Sequence, residues 1–226
     1  MTSPVAKADI KVRIARRIAA EFSARKGPLF INLGVGTPTM VADYIQGDHV
    51  FLQAENGMLG VGPKAEGDAV DRRLINAGRE PVTETPGCSY FDSATSFGMI
   101  RGGHIDATVI GAFEVDEEGS IANWIIPNGR QLGVGGAMDL VAGARQVVVA
   151  MPHTASDGSP KLVRRCSLPV TGYREADLVV TELGVFRFLE GGMVLTEIAP
   201  EIDLEGLRAL TDARFTTAPD LKSMTW

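Results

Sequence analysis

The sequence predicts an α/β fold: an open, mostly parallel sheet flanked by helices, with a C-terminal part rich in β-structure. In the first third of the chain, predicted helices and strands alternate, as a parallel sheet requires. In the last third, short apolar runs over 178–181, 185–188 and 194–198 predict strands, and the turn over 190–192 predicts a hairpin. No repeat, low-complexity tract or linker divides the 226 residues, so we expect a single domain over 1–226.

An amphipathic helix is predicted near the start of the chain. Apolar residues recur there every four positions: Ile10, Ile14, Ile18 and Phe22. Arg13, Arg16 and Arg17 lie between them, which predicts a basic outer face. Such a face could meet a membrane or a phosphate, but exposure to solvent is the favoured interpretation.

The remaining elements follow from apolar runs and capping signals. Thr37 and Pro38 resemble the N-cap and first residue of a second helix. Residues 57–90 contain many Gly and Pro and little periodicity, so we expect a long loop there, which is often functional. The other predicted elements are strands over 28–33, 49–53, 107–113 and 146–150, and helices over 39–45, 92–101, 137–142 and 204–210.

Charge and composition argue against several classes of function. The net charge of -6 argues against nucleic-acid binding, and no apolar run approaches the roughly 18 residues that span a bilayer. The polar first residues do not resemble a signal peptide. Cys88 and Cys166 are far apart and the histidines are scattered, so we expect no metal site and two reduced thiols in the cytoplasm.

Glu55 is the strongest candidate for a catalytic residue. It lies just after the predicted strand over 49–53, at the carboxyl end of a predicted parallel sheet, where open α/β folds bind ligands. Asn56 and Gly57 supply a turn directly behind it. On these features alone, a solvated loop acid stays the alternative interpretation.

Two glycine-rich turns could offer backbone amides to a ligand. The turn over 34–36 follows a strand, but Thr39 replaces the third glycine of a dinucleotide-binding fingerprint, so that motif fails. The turn over 133–136 precedes a helix, and its amides could stabilise an oxyanion. A tight turn and a plain helix start are the alternative interpretations. His104 could act as a base, although a structural histidine is more common.

Residues 53–60 (QAENGMLG) resemble the active-site signature of the β subunits of family I CoA-transferases, the 3-oxoacid and 3-oxoadipate enzymes. Further segments resemble other blocks of that family, in the family's order. They are 74–78 (LINAG), 97–104 (FGMIRGGH), 122–127 (ANWIIP) and 135–140 (GGAMDL). The likeness covers about residues 31–198, and the combination is far more specific than any single block.

The resemblance implies the NagB/RpiA/CoA-transferase-like fold and a covalent mechanism. Glu55 would attack the thioester of an acyl-CoA, form a mixed anhydride, and then carry CoA as a glutamyl thioester until an acceptor acid reverses the steps. Gly136 and Ala137 match the segment that serves the oxyanion and CoA, and Arg79 stands where many members carry a Lys that approaches CoA. CoA is then a substrate, and no cofactor is expected to be bound permanently. The implied partner is a homologous A subunit, in an α2β2 assembly with the active site between the subunits.

Three segments depart from the family pattern. Ala54 replaces the usual Ser before the glutamate, Pro152 replaces the Glu of a common Met-Glu-His, and 128–131 differs from a common Gly-Lys pattern. The acceptor therefore stays open among acetoacetate, 3-oxoadipate and other 3-oxo acids, with succinyl-CoA or acetyl-CoA as donor. The alternatives are an acyl-CoA hydrolase or lyase of the same fold, and a ligand-sensing domain without catalysis.

Overall fold

The computed structural model of the chain describes residues 3–125 and 133–226. The last two residues of the family-like block over 122–127, and the divergent segment over 128–131, lie outside the described residues. The helices of the described part are α1 (Lys7–Ser23), α2 (Ser93–Arg101), α3 (Ala137–Gly143) and α4 (Leu204–Ala209), with short 3-10 helices at Thr39–Tyr44 and Gly67–Ala69.

The strands of the described part are numbered in chain order. They are β1 (Leu29–Leu33), β2 (Val50–Ala54), β3 (Met58–Lys64), β4 (Val82–Tyr90), β5 (Ala107–Ile110), β6 (Glu114–Asp116), β7 (Ile121–Ala122), β8 (Val147–Ala150), β9 (Leu162–Val163), β10 (Leu178–Val180), β11 (Gly184–Leu189), β12 (Gly192–Ile198) and β13 (Thr216–Ser223).

Ten of these strands form one sheet, in the order β13-β12-β11-β10-β8-β5-β1-β2-β3-β4. Its centre, from β10 to β2, is parallel throughout, and Ile31 of β1 pairs with Leu52 on one side and Ala107 on the other. Antiparallel pairs flank that centre on both sides, and β13 closes one edge in parallel with β12. A smaller sheet has the order β7-β6-β9. The open, mostly parallel sheet and the β-rich C-terminal part confirm the predicted fold class.

Helices α1 and α3 pack on opposite faces of the parallel centre. Ile18 and Phe22 of α1 are fully buried, in one apolar cluster with Val148. Val141 of α3 belongs to a second cluster, together with Val147. Successive side chains of a strand point to opposite faces, so Val147 and Val148 mark the two sides of the sheet. Because both faces are covered, the carboxyl edge of the parallel strands is left for ligand access.

The prediction of a long loop over 57–90 is wrong. Strands β3 and β4 occupy most of this segment and pair antiparallel, with Met58 opposite Tyr90. Their pairing shifts register twice, and Gly60, at one of the shifts, has a φ of 91°. Such bulges interrupt the alternation of apolar and polar side chains, which hides the strands from a periodicity argument.

The second predicted helix, over 39–45, is a short 3-10 helix rather than an α-helix. Pro38, and not Thr37, occupies its N-cap position, and no side chain caps it. The hydroxyl of Thr39 instead donates to the carbonyl of Gly34, at 2.9 Å. The helix therefore closes the turn after β1 rather than forming a long crossover.

Some observed strands differ from the prediction, and β6, β7 and β9 have no predicted counterpart. The strand predicted over 107–113 ends at Ile110, and β13 has no counterpart among the predicted strands. Strand β13 lies at the sheet edge and contains Pro219, so its residues show neither an apolar run nor strict alternation.

The prediction of a solvent-exposed basic face on α1 is wrong for two of its three arginines. Arg17 is 7% exposed, and its Nε lies 2.7 Å from Oε2 of Glu197. Arg13 is 9% exposed and makes two hydrogen bonds with Glu201, both at 2.8 Å. Arg16 is exposed as predicted. The helix thus packs against the C-terminal segment through ion pairs that local periodicity does not reveal.

Candidate active site

Glu55 lies at the carboxyl edge of the sheet, in the tight turn that joins β2 to β3. The turn is closed by a hydrogen bond from Gly57 N to Ala54 O, at 2.9 Å. Gly57 has a φ of 126°, and a Cβ there would collide with the carbonyl oxygen of Phe91. Only glycine fits both conditions, so the sequence after Glu55 fixes where its carboxylate lies.

The carboxylate of Glu55 is held by a buried amide. Asn32 is fully buried in β1, and its Nδ2 donates to Oε2 of Glu55 at 3.0 Å and to Oε1 of Gln53 at 2.8 Å. Gln53 in turn donates from Nε2 to the hydroxyl of Ser96 on α2, at 2.7 Å. The network therefore connects helix α2 to the carboxylate through two amides.

This arrangement suits a carboxylate nucleophile. Oε2 of Glu55 is oriented by Asn32, and Glu55 itself is partly exposed. Within the described residues, the second oxygen has no hydrogen-bond partner. A carboxylate with one oxygen held and the other without a hydrogen-bond partner can present a lone pair to an electrophilic carbon.

The turn before α3 lies close to Glu55. A Cβ built on Gly136 would lie 3.7 Å from Cγ of Glu55 and 3.0 Å from two ring atoms of Phe97. Helix α3 approaches this closely because Gly143 packs on the backbone of Ile100 in α2, where a side chain would not fit. Glycine at these two positions brings the α3 start to the carboxylate.

The two backbone amides predicted to serve the oxyanion are not equivalent. The N–H of Ala137 already donates to the carbonyl of Val134, at 3.1 Å. The N–H of Gly136 has no backbone partner among the described residues. The expectation of freely available amides at this turn therefore holds better for Gly136 than for Ala137.

Arg79 lies in a turn that is tied to the residue after Glu55. Its φ of 63° is rare for a side chain other than glycine, and its N–H donates to Asn76 O at 2.9 Å. Asn56 donates from Nδ2 to the carbonyl of Ile75, at 2.9 Å, which links this turn to the Glu55 turn. The guanidinium is exposed, and no described carboxylate pairs with it.

None of the three histidines forms a hydrogen bond with Glu55 among the described residues. His104 precedes β5 and His49 precedes β2, so both lie toward the amino edge of the parallel strands, opposite to Glu55. His153 is fully buried, and burial lowers the pKa of its imidazole to about 4. His104 is thus not placed to act as a base on a substrate at Glu55.

Three residues of the site do not follow from the sequence interpretation: Asn32, Gln53 and Ser96. Asn32 and Gln53 do leave a signal in the sequence, because each is an uncharged amide inside a predicted buried strand. Such residues need hydrogen-bond partners when buried. Ser96 gives no comparable signal, because serine is common on exposed helix faces.

The described ranges, 3–125 and 133–226, hold no group of three or more His, Cys, Asp and Glu side chains that could bind a metal ion. The same ranges contain no helix that is both long and apolar enough to cross a bilayer.

Comparison with known proteins identifies the family of this chain. The family model described as Coenzyme A transferase matches residues 27–209. The chain is 52% identical over 216 residues to the beta subunit of the acetate CoA-transferase of Escherichia coli strain K12, covering 95% of the chain and 97% of the relative. It is 46% identical over 211 residues to the B subunit of the probable succinyl-CoA:3-ketoacid coenzyme A transferase of Bacillus subtilis strain 168. That alignment covers 93% of the chain and 96% of the relative.

A solved acyl-CoA transferase from Escherichia coli O157:H7 has the same fold, with a TM-score of 0.76 at 23% sequence identity. The alignment covers 100% of this chain but only 45% of that longer chain. The family match extends from β1 through α4, so it includes the whole parallel centre and the Glu55 turn. Together with relatives of about half identical sequence, it confirms the resemblance: the chain belongs to the coenzyme A transferase family.

Proposed function

We propose that this chain is the B subunit of a two-subunit CoA-transferase in which Glu55 carries CoA as a covalent thioester. The observation that carries the proposal is the carboxylate of Glu55 at the carboxyl edge, held through one oxygen by Asn32 at 3.0 Å. An enzyme that only bound acyl-CoA would not need an oriented carboxylate beside a glycine turn.

The first half-reaction transfers the acyl group and then CoA. The free oxygen of Glu55 attacks the thioester carbon, the carbon–sulfur bond breaks, and CoA leaves as a thiolate. The thiolate then attacks the Glu55 carbonyl of the mixed anhydride and releases the donor acid as a carboxylate. CoA is now bound to Glu55 as a thioester, and the energy of the donor thioester is conserved.

The second half-reaction repeats these steps in reverse with the acceptor acid. Its carboxylate attacks the Glu55 thioester and expels the thiolate, which attacks the acceptor carbonyl of the new anhydride. The Glu55 carboxylate is restored. Water must be kept out during both halves, because hydrolysis of either intermediate would lose the thioester.

Gly136 is the proposed oxyanion donor, since its amide lies beside Glu55 and has no described backbone partner. Ala137 would contribute only if its N–H exchanged the Val134 carbonyl for the ligand. Arg79 is proposed to attract the phosphates of CoA, because its exposed guanidinium lies in the turn linked to Asn56.

A homologous A subunit is the proposed partner, in an α2β2 assembly. The two matched relatives are of nearly the same length as this chain, and their names describe them as a beta and a B subunit. The solved acyl-CoA transferase chain is more than twice as long as the part that this chain covers, which is consistent with both halves joined in one polypeptide.

The proposed substrates are an acyl-CoA donor, succinyl-CoA or acetyl-CoA, and a 3-oxo acid acceptor. The relatives' names differ on this point, since one names acetate and the other a 3-ketoacid. A panel of acetate, acetoacetate and 3-oxoadipate separates these acceptors.

We further propose that residues 1–226 form one domain, supported by the ten-stranded sheet, whose strands run from Leu29 to Ser223. The free thiols of Cys88 and Cys166 fit the proposed cytoplasmic location.

The experiment that tests this function is an activity assay on the chain co-expressed with its partner. Acyl-CoA is supplied with and without the acceptor panel, and both CoA products are measured. A transferase forms the acceptor's thioester and loses little donor without an acceptor. Loss of the donor thioester without any acceptor would instead indicate a hydrolase, and no turnover with stabilisation by a sugar phosphate would indicate a sensor.

Variants at two glutamates complete this test. Glu55→Gln removes the nucleophile and is expected to abolish transfer, whereas Glu205→Gln, on the exposed side of α4, is expected to leave it unchanged. Transfer by Glu55→Gln at the unsubstituted rate would exclude the proposed mechanism.

A further inference from the structure

A row of buried polar side chains crosses the centre of the sheet below Glu55. Gln53, Asn32 and Thr108 are register partners on β2, β1 and β5. They are 2%, 0% and 0% exposed. Directly paired residues of neighbouring parallel strands point to the same face, so the three side chains lie side by side. The next partner of Thr108, Val147, is apolar, so the row ends at Thr108.

The row is hydrogen-bonded at one end and open at the other. On the β2 side, Nδ2 of Asn32 donates to the Gln53 side chain and to Glu55. On the β5 side, neither Oδ1 of Asn32 nor the Thr108 hydroxyl has a partner among the described residues. Two buried polar atoms in adjacent positions, both without a partner, are unusual, since each would lose hydration without compensation.

The orientation of the Asn32 amide determines on which side of β1 its oxygen lies. Nδ2 must point toward β2, because three acceptor contacts from Gln53 and Glu55 lie there. Strand β1 lies between β2 and β5. With the nitrogen toward β2, the oxygen of the same planar amide is directed away from β2, on the side where Thr108 lies.

We infer that Thr108 is a positioning residue for Glu55, whose hydroxyl holds the Oδ1 of Asn32 through one bridging, buried water. A water fits the chemistry, since an amide oxygen accepts a hydrogen bond and a hydroxyl can both donate and accept. Thr108 touches neither substrate nor Glu55; it fixes the Asn32 amide from the carbonyl side, so that the N–H stays directed at Oε2. This inference rests on the proposed role of Glu55 as nucleophile.

The expected consequence concerns the chemical step and not substrate binding. If the carbonyl end of Asn32 is released, its amide can rotate, and the oriented hydrogen bond to Glu55 is populated less. The rate of Glu55 thioester formation falls, while KM for acyl-CoA is unchanged. Loss of a single indirect hydrogen bond corresponds to roughly a fivefold to tenfold change in rate.

The test compares Thr108→Val with Thr108→Ser in the complex with the partner chain, by single-turnover kinetics with acyl-CoA and by steady-state kcat and KM. Valine has nearly the same shape without the hydroxyl, and serine restores the hydroxyl. We expect Thr108→Val to lower kcat about fivefold to tenfold with KM unchanged, and Thr108→Ser to recover most of the rate. An equal kcat for Thr108→Val, or a loss that serine does not recover, would overturn the inference.

A high-resolution crystal structure of the unsubstituted protein decides the case if the valine variant fails to fold. Electron density for a water within hydrogen-bond distance of both Asn32 Oδ1 and Thr108 Oγ1 supports the inference, and a site without that water overturns it. The Glu55→Gln variant separates this inference from the proposed function. If Glu55→Gln abolishes transfer but Thr108→Val does not slow it, only the role of Thr108 is wrong.

Discussion

For single residues, the site depends on the hydrogen bond between the buried amide of Asn32 and the charged carboxylate of Glu55. Asn32 has no access to solvent, so its two N–H bonds must be used inside the protein, and the structure directs them at Gln53 and Glu55. Hydrogen bonds to charged groups are stronger than those between neutral groups. The Asn32–Glu55 contact is therefore expected to hold the carboxylate firmly in one orientation.

Replacing Asn32 tests this contact. Asn32→Ala removes one hydrogen bond to a carboxylate, worth about 1.5–3 kcal/mol, and we expect kcat to fall roughly 10- to 100-fold. KM for acyl-CoA should change little, because Asn32 lies beneath the carboxylate. Steady-state kinetics of the complex, with unfolding in urea as a control for folding, measure both. A kcat within twofold of the unsubstituted enzyme would show that Glu55 needs no such partner.

How much of the site the sequence reveals depends on which interactions are local. Glu55 is visible because an acid directly after an apolar strand is a local feature, and the family blocks then give it a role. Asn32 and Gln53 are visible as polar residues in apolar strands, but their meeting requires β1 beside β2 in a particular register. Ser96 comes from a helix far along the chain, and local sequence does not indicate its contact with Gln53.

At the scale of elements, the closeness of α2 and α3 sets the width of the site. Gly136 leaves just enough room for the Phe97 ring and the Glu55 side chain. A larger residue would push the ring or the α3 start away from the carboxylate.

Gly136→Ala tests this packing. The added methyl would lie 3.0 Å from the Phe97 ring, so the ring must move, and we expect kcat to fall about tenfold. Gly98→Ala in α2 is the matched control, since a Cβ there meets nothing within 4 Å. It should stabilise the helix by about 0.5–1 kcal/mol without changing the rate. Equal activities of the two variants would contradict the proposed position of the oxyanion turn.

Helix α1 shows why an amphipathic pattern can misplace charged residues. Its period of four correctly predicts a helix, but Arg17 is buried in ion pairs with Glu21 and Glu197. These partners lie in α1 itself and 180 residues away in β12. A single sequence shows the charge of such residues but not whether a distant carboxylate covers them.

Arg17→Ala is expected to destabilise the protein by about 3 kcal/mol, because it leaves the partly buried carboxylate of Glu197 without its cation, whereas Glu21 keeps its ion pair with Arg187. Lys11→Ala on the exposed side of α1 should change the free energy of unfolding by less than about 0.5 kcal/mol. Unfolding in urea at neutral pH measures both variants. Similar values for the two would show that the Arg17 ion pairs contribute no more than a surface charge.

At the scale of the whole molecule, His153 couples folding to pH. Its imidazole lies between two hydroxyls, with Nε2 3.0 Å from Thr211 Oγ1 and Nδ1 3.1 Å from Thr181 Oγ1. The Thr211 hydroxyl donates to Leu207 O at 2.7 Å, shorter than the 3.2 Å bond from the Thr181 hydroxyl to Gly184 O, which favours Nε2 as the protonated nitrogen of a neutral ring. Burial lowers the pKa of this ring from 6.5 to about 4.

This lowered pKa predicts an acid-sensitive fold. Between pH 6.5 and about 4 the unfolded chain binds a proton at His153 and the folded chain does not, so lowering the pH favours unfolding. The contribution of the neutral imidazole to the free energy of unfolding is fully present above pH 6.5. About 3 kcal/mol of that free energy is lost when the pH falls to about 4. We expect His153→Asn to unfold more easily at pH 7, but with a smaller further loss between pH 7 and pH 5. The same pH dependence in both proteins, measured by urea unfolding, would contradict a neutral buried imidazole.

The overall architecture is largely predictable, because buried parallel strands and alternating helices leave a strong local signal. The antiparallel pair β3–β4 and the edge strand β13 are not, since bulges and exposure remove that signal. These strands matter for function: β3 completes the Glu55 turn, and the segment between β3 and β4 carries Arg79.

The covalent state of Glu55 during turnover tests the proposed mechanism most sharply. The complex with its partner chain is incubated with acyl-CoA, treated with borohydride, and the Glu55 peptide is sequenced by mass spectrometry. We predict a CoA thioester at Glu55 before reduction and a primary alcohol at that side chain afterwards, with neither change in the Glu55→Gln variant. An unmodified Glu55 peptide from enzyme that is actively transferring CoA would rule out a glutamyl-CoA intermediate.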